Sequence, residues 1–253
     1  MTRYFVTLSY DGSNYHGWQI QQNTPNTIQQ VLETNLSLIL GHQIAVTGCG
    51  RTDTGVHAKN YVAHIDLTQT LEKEEINKLI YKLNKILPKA IAIHGLTEVK
   101  ETAHARFDAT ERTYYYYLSQ QKNPFRETYT YHSFAELDFE LMNDAAHWLL
   151  QFQDFKSFSK LNTQNKTTLC QITYAKWICC GEKEWLFKIK ANRFLRGMVR
   201  AIVGTLIQVG KKQITVEEFK NIIEAKDRKF AGPNVPAKAL FLCGIQYPKN
   251  IYN

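Results

Sequence analysis

The chain has 253 residues, of which 44% are apolar and 21% are charged, a composition typical of globular proteins and unlike that of disordered ones. Lysine and arginine outnumber aspartate and glutamate by 31 to 23, which gives a formal net charge of +8. Such an excess favours a polyanionic partner such as a nucleic acid, and a merely soluble basic surface is the alternative.

The sequence lacks the marks of a secreted, membrane-spanning or zinc-binding protein. Its five cysteines are odd in number, and no two of them have zinc-ligand spacing. Most lie in apolar runs typical of strands, so we expect buried, reduced thiols. No apolar run approaches the ~20 residues of a membrane span, and the first residues predict a strand instead of a signal peptide. We therefore expect a cytoplasmic protein.

The first half of the chain predicts alternating strands and helices. Apolar spacing of three and four residues marks the helices, with Thr27 as an N-cap and Gly41 and Pro88 as terminators. Aromatic and β-branched runs mark the strands. In chain order, we predict strands at 4–10, 44–50, 61–67 and 91–99, and helices at 28–40 and 72–87.

The second half repeats this order in outline. We predict strands at 112–119, 170–180, 184–191 and 240–247, and helices at 138–151, 193–209 and 215–225. The 138–151 helix is expected to turn Leu141, Ala145, Trp148 and Leu149 inward.

The predicted fold class is α+β. It consists of two ferredoxin-like β-α-β-β-α-β halves that form a continuous mixed, mainly antiparallel sheet with a central basic cleft. We place the domains at residues 1–104 and 105–253.

A glycine-flanked turn presents one carboxylate, that of Asp53. Gly50 and Gly55 permit backbone conformations that let a ligand approach closely, and Arg51 could hold the carboxylate ionised or bind a phosphate. An ionised, oriented carboxylate serves as a nucleophile or base. From this segment alone, an Asp53 that merely caps a tight turn is the favoured interpretation.

Four consecutive tyrosines follow Arg112 on a predicted strand. Alternation places Tyr114 and Tyr116 on one face and Tyr115 and Tyr117 on the other. One pair should pack in the core, whereas the other could stack on a base extracted from an RNA helix. Periodicity does not decide which pair is which.

A late helix predicted from residue 193 carries three arginines. Arg193, Arg196 and Arg200 recur at spacings that place them on one helical face, where their charge near a helix start indicates a nearby anion. A solvated basic face is the equally favoured alternative.

Several ordered motifs together resemble the TruA-type tRNA pseudouridine synthases. The stretch Gly-Arg-Thr-Asp-x-Gly-Val-His is the family's motif, and the resemblance extends along nearly the whole chain. The segments that carry it are Gly50 to His57, Tyr10 to Gln19, Ala105 to Tyr114, Phe194 to Gly204 and Leu240 to Leu242.

The resemblance implies isomerisation of uridine to pseudouridine at positions 38, 39 and 40 of the tRNA anticodon stem-loop. It assigns Asp53 as the catalytic nucleophile, Tyr114 to stacking on the target base and Arg200 to pairing with the Asp53 carboxylate. Arg51 would contact RNA, and Leu240 would line the pocket. It also implies a homodimer that needs no metal or organic cofactor.

Three other functions compete with this one. The first is a pseudouridine synthase of the same fold with another RNA target. The second is a catalytically silent RNA-binding protein, which the presence of Asp53, Tyr114 and Arg200 disfavours. The third is an Asp-based hydrolase, disfavoured because the sequence offers no second carboxylate, metal cluster or Ser/His pair at suitable spacing.

Overall fold

A computed structural model describes residues 1–160 and 167–252 of the chain. These residues contain nine β-strands and five α-helices, which confirms the predicted α+β class. The strands are β1 (Thr2–Tyr10), β2 (Thr47–Gly48), β3 (His57–Leu67), β4 (Ile91–Val99), β5 (Glu111–Ser119), β6 (Tyr131–His132), β7 (Ile172–Gly181), β8 (Glu184–Ala191) and β9 (Leu240–Gln246). The helices are α1 (Ile28–Leu40), α2 (Lys73–Ile86), α3 (Phe139–Trp148), α4 (Met198–Gly210) and α5 (Val216–Ala225).

The chain forms two compact units. The first comprises Met1–Thr110 together with Leu242–Asn253, and the second comprises Glu111–Phe241. The C-terminal segment thus returns to the N-terminal unit. The domain boundary placed between residues 104 and 105 stays a prediction.

The first unit has the predicted β-α-β-β-α-β order. Its strands β4, β1 and β3 lie side by side in that order and are antiparallel. Strands β2 and β9 also pair with β3. Thr27 caps α1 by accepting a hydrogen bond from the Gln30 amide at 3.3 Å, and Gly41 ends the helix with φ 76°. Apolar side chains of both helices, Leu32 and Leu83 among them, are fully buried.

The strand predicted at 44–50 is reduced to the two residues of β2. Helix α1 accounts for the difference, because its polar side chains bind the amides of the preceding residues. The Ser37 hydroxyl accepts from the Ile44 amide, and the Glu33 carboxylate accepts from the Val46 amide, each at 2.9 Å. These amides are therefore satisfied without a neighbouring strand.

The second unit contains the antiparallel order β5-β8-β7, with β6 parallel to β5. Its sheet is thus mixed and mainly antiparallel. On α3 the buried side chains include Phe139, Met142, Ala145 and Ala146, whereas Leu141 and Trp148, which were predicted to turn inward, are only half-buried. The face of α3 that is buried is set by Phe139, whose ring stacks on that of Trp185 at 3.6 Å.

Helix α4 begins at Met198, later than the predicted start at residue 193. Gly197 precedes it with φ 73°, a left-handed conformation that interrupts the helix. Arg193 and Arg196 consequently lie outside the helix, and the predicted helical face of three arginines was wrong. Only Arg200 of the three lies in the first turn.

The five cysteines are free thiols, of which Cys49 and Cys170 are buried and Cys243 is half-buried. Cys179 and Cys180 are exposed, which contradicts the expected burial, because they lie at the end of β7 beside its turn into β8. Within the described ranges, no helix is long and apolar enough to cross a membrane. The same ranges contain no group of three or more His, Cys, Asp or Glu side chains arranged to hold a metal ion.

Candidate active site

Asp53 lies in a tight turn between β2 and β3. The Val56 amide donates to the Asp53 carbonyl oxygen at 3.1 Å, and Gly55 has φ 77°, the conformation that the third residue of a type II turn requires. Thr52 and Val56 are buried, whereas Asp53 is half-buried. The turn thus anchors the residues on either side of a carboxylate that solvent still reaches.

The loop after β1 packs directly against this turn. The Trp18 amide donates to the Thr52 carbonyl oxygen at 3.3 Å, and the Gly55 amide donates to the Tyr15 carbonyl oxygen at 3.4 Å. Gly17, at φ 85°, approaches so closely that a Cβ there would overlap the Thr52 carbonyl oxygen. The two loops therefore form a single backbone-bonded layer.

Aromatic side chains pack against these two loops and form hydrogen bonds to them. The Trp18 and Tyr61 rings stack at 4.0 Å, and Tyr10 lies 5.5 Å from the Tyr61 ring. The Tyr10 and Thr52 hydroxyls lie 2.9 Å apart, and the Tyr61 hydroxyl donates to the Gly50 carbonyl oxygen. Sequence analysis missed this support, although a tyrosine-glycine-tryptophan loop beside a strand tyrosine is the pattern from which it could be inferred.

Arg51 is exposed on the same turn and donates through Nε to the Gln19 side chain at 3.2 Å. Gln19 belongs to the loop after β1. The side chain of Arg51 thus joins the two loops, and a guanidinium so exposed suits contact with a phosphate.

Tyr114 lies on β5 in the second unit and is half-buried. The Phe194 ring meets its ring edge-on at 5.2 Å and 89°. Tyr116, on the same face, is fully buried and donates its hydroxyl to the Pro236 carbonyl oxygen at 3.1 Å. Burial raises the pKa of Tyr116 well above its ordinary value. The two tyrosines of this face therefore differ in burial: Tyr116 lies in the core, whereas Tyr114 is partly accessible.

Arg200 is held by the segment that precedes β9. Its Nε donates to the Val235 carbonyl oxygen at 2.7 Å, and the Val235 amide donates back to the Arg200 carbonyl oxygen at 3.3 Å. A Cβ on Gly204, one turn further along α4, would overlap the Pro233 carbonyl oxygen. Close packing of this segment on α4 thus fixes the guanidinium.

Leu240 begins β9 and is 5% exposed. The segment before it is tied to α4 through Arg200 and to β5 through Tyr116. Tyr114, Arg200 and Leu240 therefore belong to connected parts of the second unit, whereas Arg51 and Asp53 share one turn of the first. The predicted pairing of Arg200 with Asp53 stays a prediction.

Comparison with known proteins places these features in a family. The family model described as tRNA pseudouridine synthase matches residues 7–108 and 146–248. A protein of Bacteroides thetaiotaomicron named tRNA pseudouridine synthase A is 48% identical to the chain, covering 100% of it and 93% of that relative. The protein of the same name from Porphyromonas gingivalis is 47% identical, with 100% of both chains covered. A protein of Clostridium tetani named tRNA pseudouridine synthase A 1 is 37% identical, covering 96% of this chain and 98% of its own.

Proposed function

This chain belongs to the tRNA pseudouridine synthase family, and we propose that it isomerises uridine to pseudouridine at positions 38, 39 and 40 of the tRNA anticodon stem-loop. The observation that carries the proposal is Asp53, a half-buried carboxylate on the first residue of a turn whose neighbours are held by backbone hydrogen bonds. The reaction breaks the N-glycosidic bond, turns the base over and rejoins it to the ribose through carbon 5.

We assign Asp53 the role of catalytic nucleophile. A carboxylate that attacks must reach the substrate and must not move away from it, because misplacement by about 1 Å costs roughly a hundredfold in rate. The turn supports this assignment through its closing hydrogen bond and the glycines that let a second loop pack on it.

We assign substrate contacts to Tyr114, Arg51, Arg200 and Leu240. Tyr114 would stack on the extracted base, since its ring is partly accessible and braced by Phe194. Arg200 would pair with the Asp53 carboxylate, and Arg51 would hold the flipped nucleotide through its phosphate. Leu240 would supply an apolar wall.

The partner is tRNA, and we further propose a cytoplasmic homodimer in which one tRNA contacts both subunits. The net charge of +8 supports binding to a polyanion. The rival assignment to another RNA target predicts pseudouridine outside the anticodon stem-loop.

The test is Asp53→Asn assayed on tRNA transcripts, with Asp144→Asn on the exposed face of α3 as the matched control. We expect Asp53→Asn to bind tRNA normally and form no pseudouridine, and the control to retain wild-type turnover. Wild-type-like turnover in Asp53→Asn would remove the proposed mechanism. Transcripts with uridine only at 38, 39 or 40 test the sites, and modification elsewhere would favour the rival target.

A further inference from the structure

His57 is a buried histidine for which the proposed reaction has no role so far. It is the first residue of β3, directly after the Asp53 turn, and is 1% exposed. Its Nδ1 lies 3.0 Å from Oδ1 of Asp11 and 3.1 Å from the backbone nitrogen of Gly12. Both partners belong to the loop after β1, so one imidazole nitrogen joins that loop to the start of β3.

The link holds for either proton assignment on Nδ1. A protonated Nδ1 donates to the Asp11 carboxylate, whereas an unprotonated one accepts from the Gly12 amide. Asp11 is itself fixed, because its Oδ1 also accepts from the Ser13 amide at 2.9 Å and the Ser13 hydroxyl at 2.7 Å. His57 is therefore attached to an ordered partner.

The same contact holds the loop after β1 against the Asp53 turn. A Cβ on Gly12 would overlap the carbonyl oxygen of Val56, the residue between the turn and His57. The Val56 amide in turn closes the turn on the Asp53 carbonyl oxygen at 3.1 Å. A displacement of His57 would therefore shift the Asp53 backbone through Val56, which is 2% exposed.

We propose that Asp11 and His57 form a positioning pair that fixes the backbone of the Asp53 turn for attack on the uridine. This inference rests on the proposed role of Asp53. His57 does not touch the substrate; it acts by holding the Val56 end of the turn against Gly12. The pair should affect the rate of the chemical step and leave tRNA binding unchanged.

The decisive comparison is His57→Leu against His57→Asn. The two side chains have nearly the same shape, and only the asparagine places a polar atom where Nδ1 stands. We expect the single-turnover rate of pseudouridine formation to fall about 10- to 100-fold in His57→Leu, with an unchanged dissociation constant for tRNA. His57→Asn should restore the rate to within about threefold of wild type.

His64→Leu is the matched control. His64 is 7% exposed on the same strand, and its Nδ1 likewise accepts a backbone amide, that of Ala105, at 3.1 Å. We expect its loss to lower the melting temperature without slowing the folded enzyme. Equal slowing in both leucine variants would mean general destabilisation and would overturn the proposal, as would equal activity of His57→Leu and His57→Asn.

Asp11→Ala provides an approach that leaves the core intact, since the Asp11 side chain is 34% exposed. If the pair acts as a unit, Asp11→Ala slows the chemical step, and the double variant with His57→Leu is no slower than the worse single variant. Additive losses would overturn the pairing. Asp53→Asn separates the two levels: activity in that variant refutes the role of Asp53, whereas its inactivity beside a fully active His57→Leu and Asp11→Ala refutes only the positioning pair.

Discussion

Nε of Arg200 donates to the carbonyl oxygen of Val235 at 2.7 Å, and the Val235 amide donates back to the Arg200 carbonyl oxygen. The arginine is thus tied to the segment before β9 by its side chain and its backbone. Because the guanidinium is planar, a hydrogen bond through Nε also fixes the direction in which its two terminal nitrogens point.

Arg200→Lys should therefore be a severe change. A lysine ammonium is a single point donor, and it cannot bind the Val235 carbonyl oxygen and also present a fixed charge to a second group. We expect pseudouridine formation under single-turnover conditions to fall by at least about tenfold, with a smaller change in tRNA affinity. An Arg200→Lys enzyme with wild-type turnover would contradict the requirement for a guanidinium.

Gly17→Ala tests the packing of the first loop on the Asp53 turn. Gly17 and Gly41 both have left-handed backbones, at φ 85° and 76°, but a Cβ on Gly41 has nothing within 4 Å. Both alanines should cost roughly 1 to 2 kcal/mol of folding stability for the conformation alone. Only Gly17→Ala should also reduce activity, because its Cβ displaces the Thr52 carbonyl. Denaturant melts and turnover measured together check this, and equal activity of the two variants would argue against tight packing.

The stability of the protein should fall between about pH 6.5 and pH 4 because of His64. Burial, and then the charge of nearby Arg3, lower its pKa from 6.5 to about 4, with smaller effects of His104, Asp66 and Asp108. In this window the unfolded chain binds a proton at His64 and the folded chain does not, so stability is lost as the pH falls. The loss over this window should be at most about 3 kcal/mol.

Chemical denaturation of wild type and His64→Leu at pH 7 and pH 4.5 isolates this contribution, since the carboxylates titrate in both proteins. The leucine variant should lose less stability over that interval than wild type does. Identical losses in the two proteins would show that His64 is not the group responsible.

Affinity for tRNA should depend steeply on salt. The net charge of +8 reflects 31 lysines and arginines, and each one that neutralises a phosphate releases condensed counterions. Filter-binding or anisotropy titrations with Asp53→Asn, which avoids turnover, should give a linear fall of log affinity with log salt concentration. A flat dependence would show that binding does not rely on phosphate contacts.

The parts of the fold that depend on interactions between residues close in sequence were predicted correctly. Helix α1 has the predicted bounds because Thr27 and Gly41 cap it through bonds within a few residues, and β4 has the predicted bounds because its flanking turn and apolar run are local too. The placement of Asp53 in a glycine-flanked turn was also evident from the neighbouring residues. The motifs also carried the family assignment, which the comparisons confirmed.

The tertiary structure decided what depends on residues far apart in the chain. Strand β2 is short because Glu33 and Ser37 of α1 take the amides before it, and α3 turns Phe139 inward because Trp185 lies there. The choice of Tyr116 as the buried tyrosine follows from its bond to Pro236. The contact of His57 with Asp11 arises because β1 and β3 are paired, which brings residues 46 positions apart within one hydrogen bond of each other.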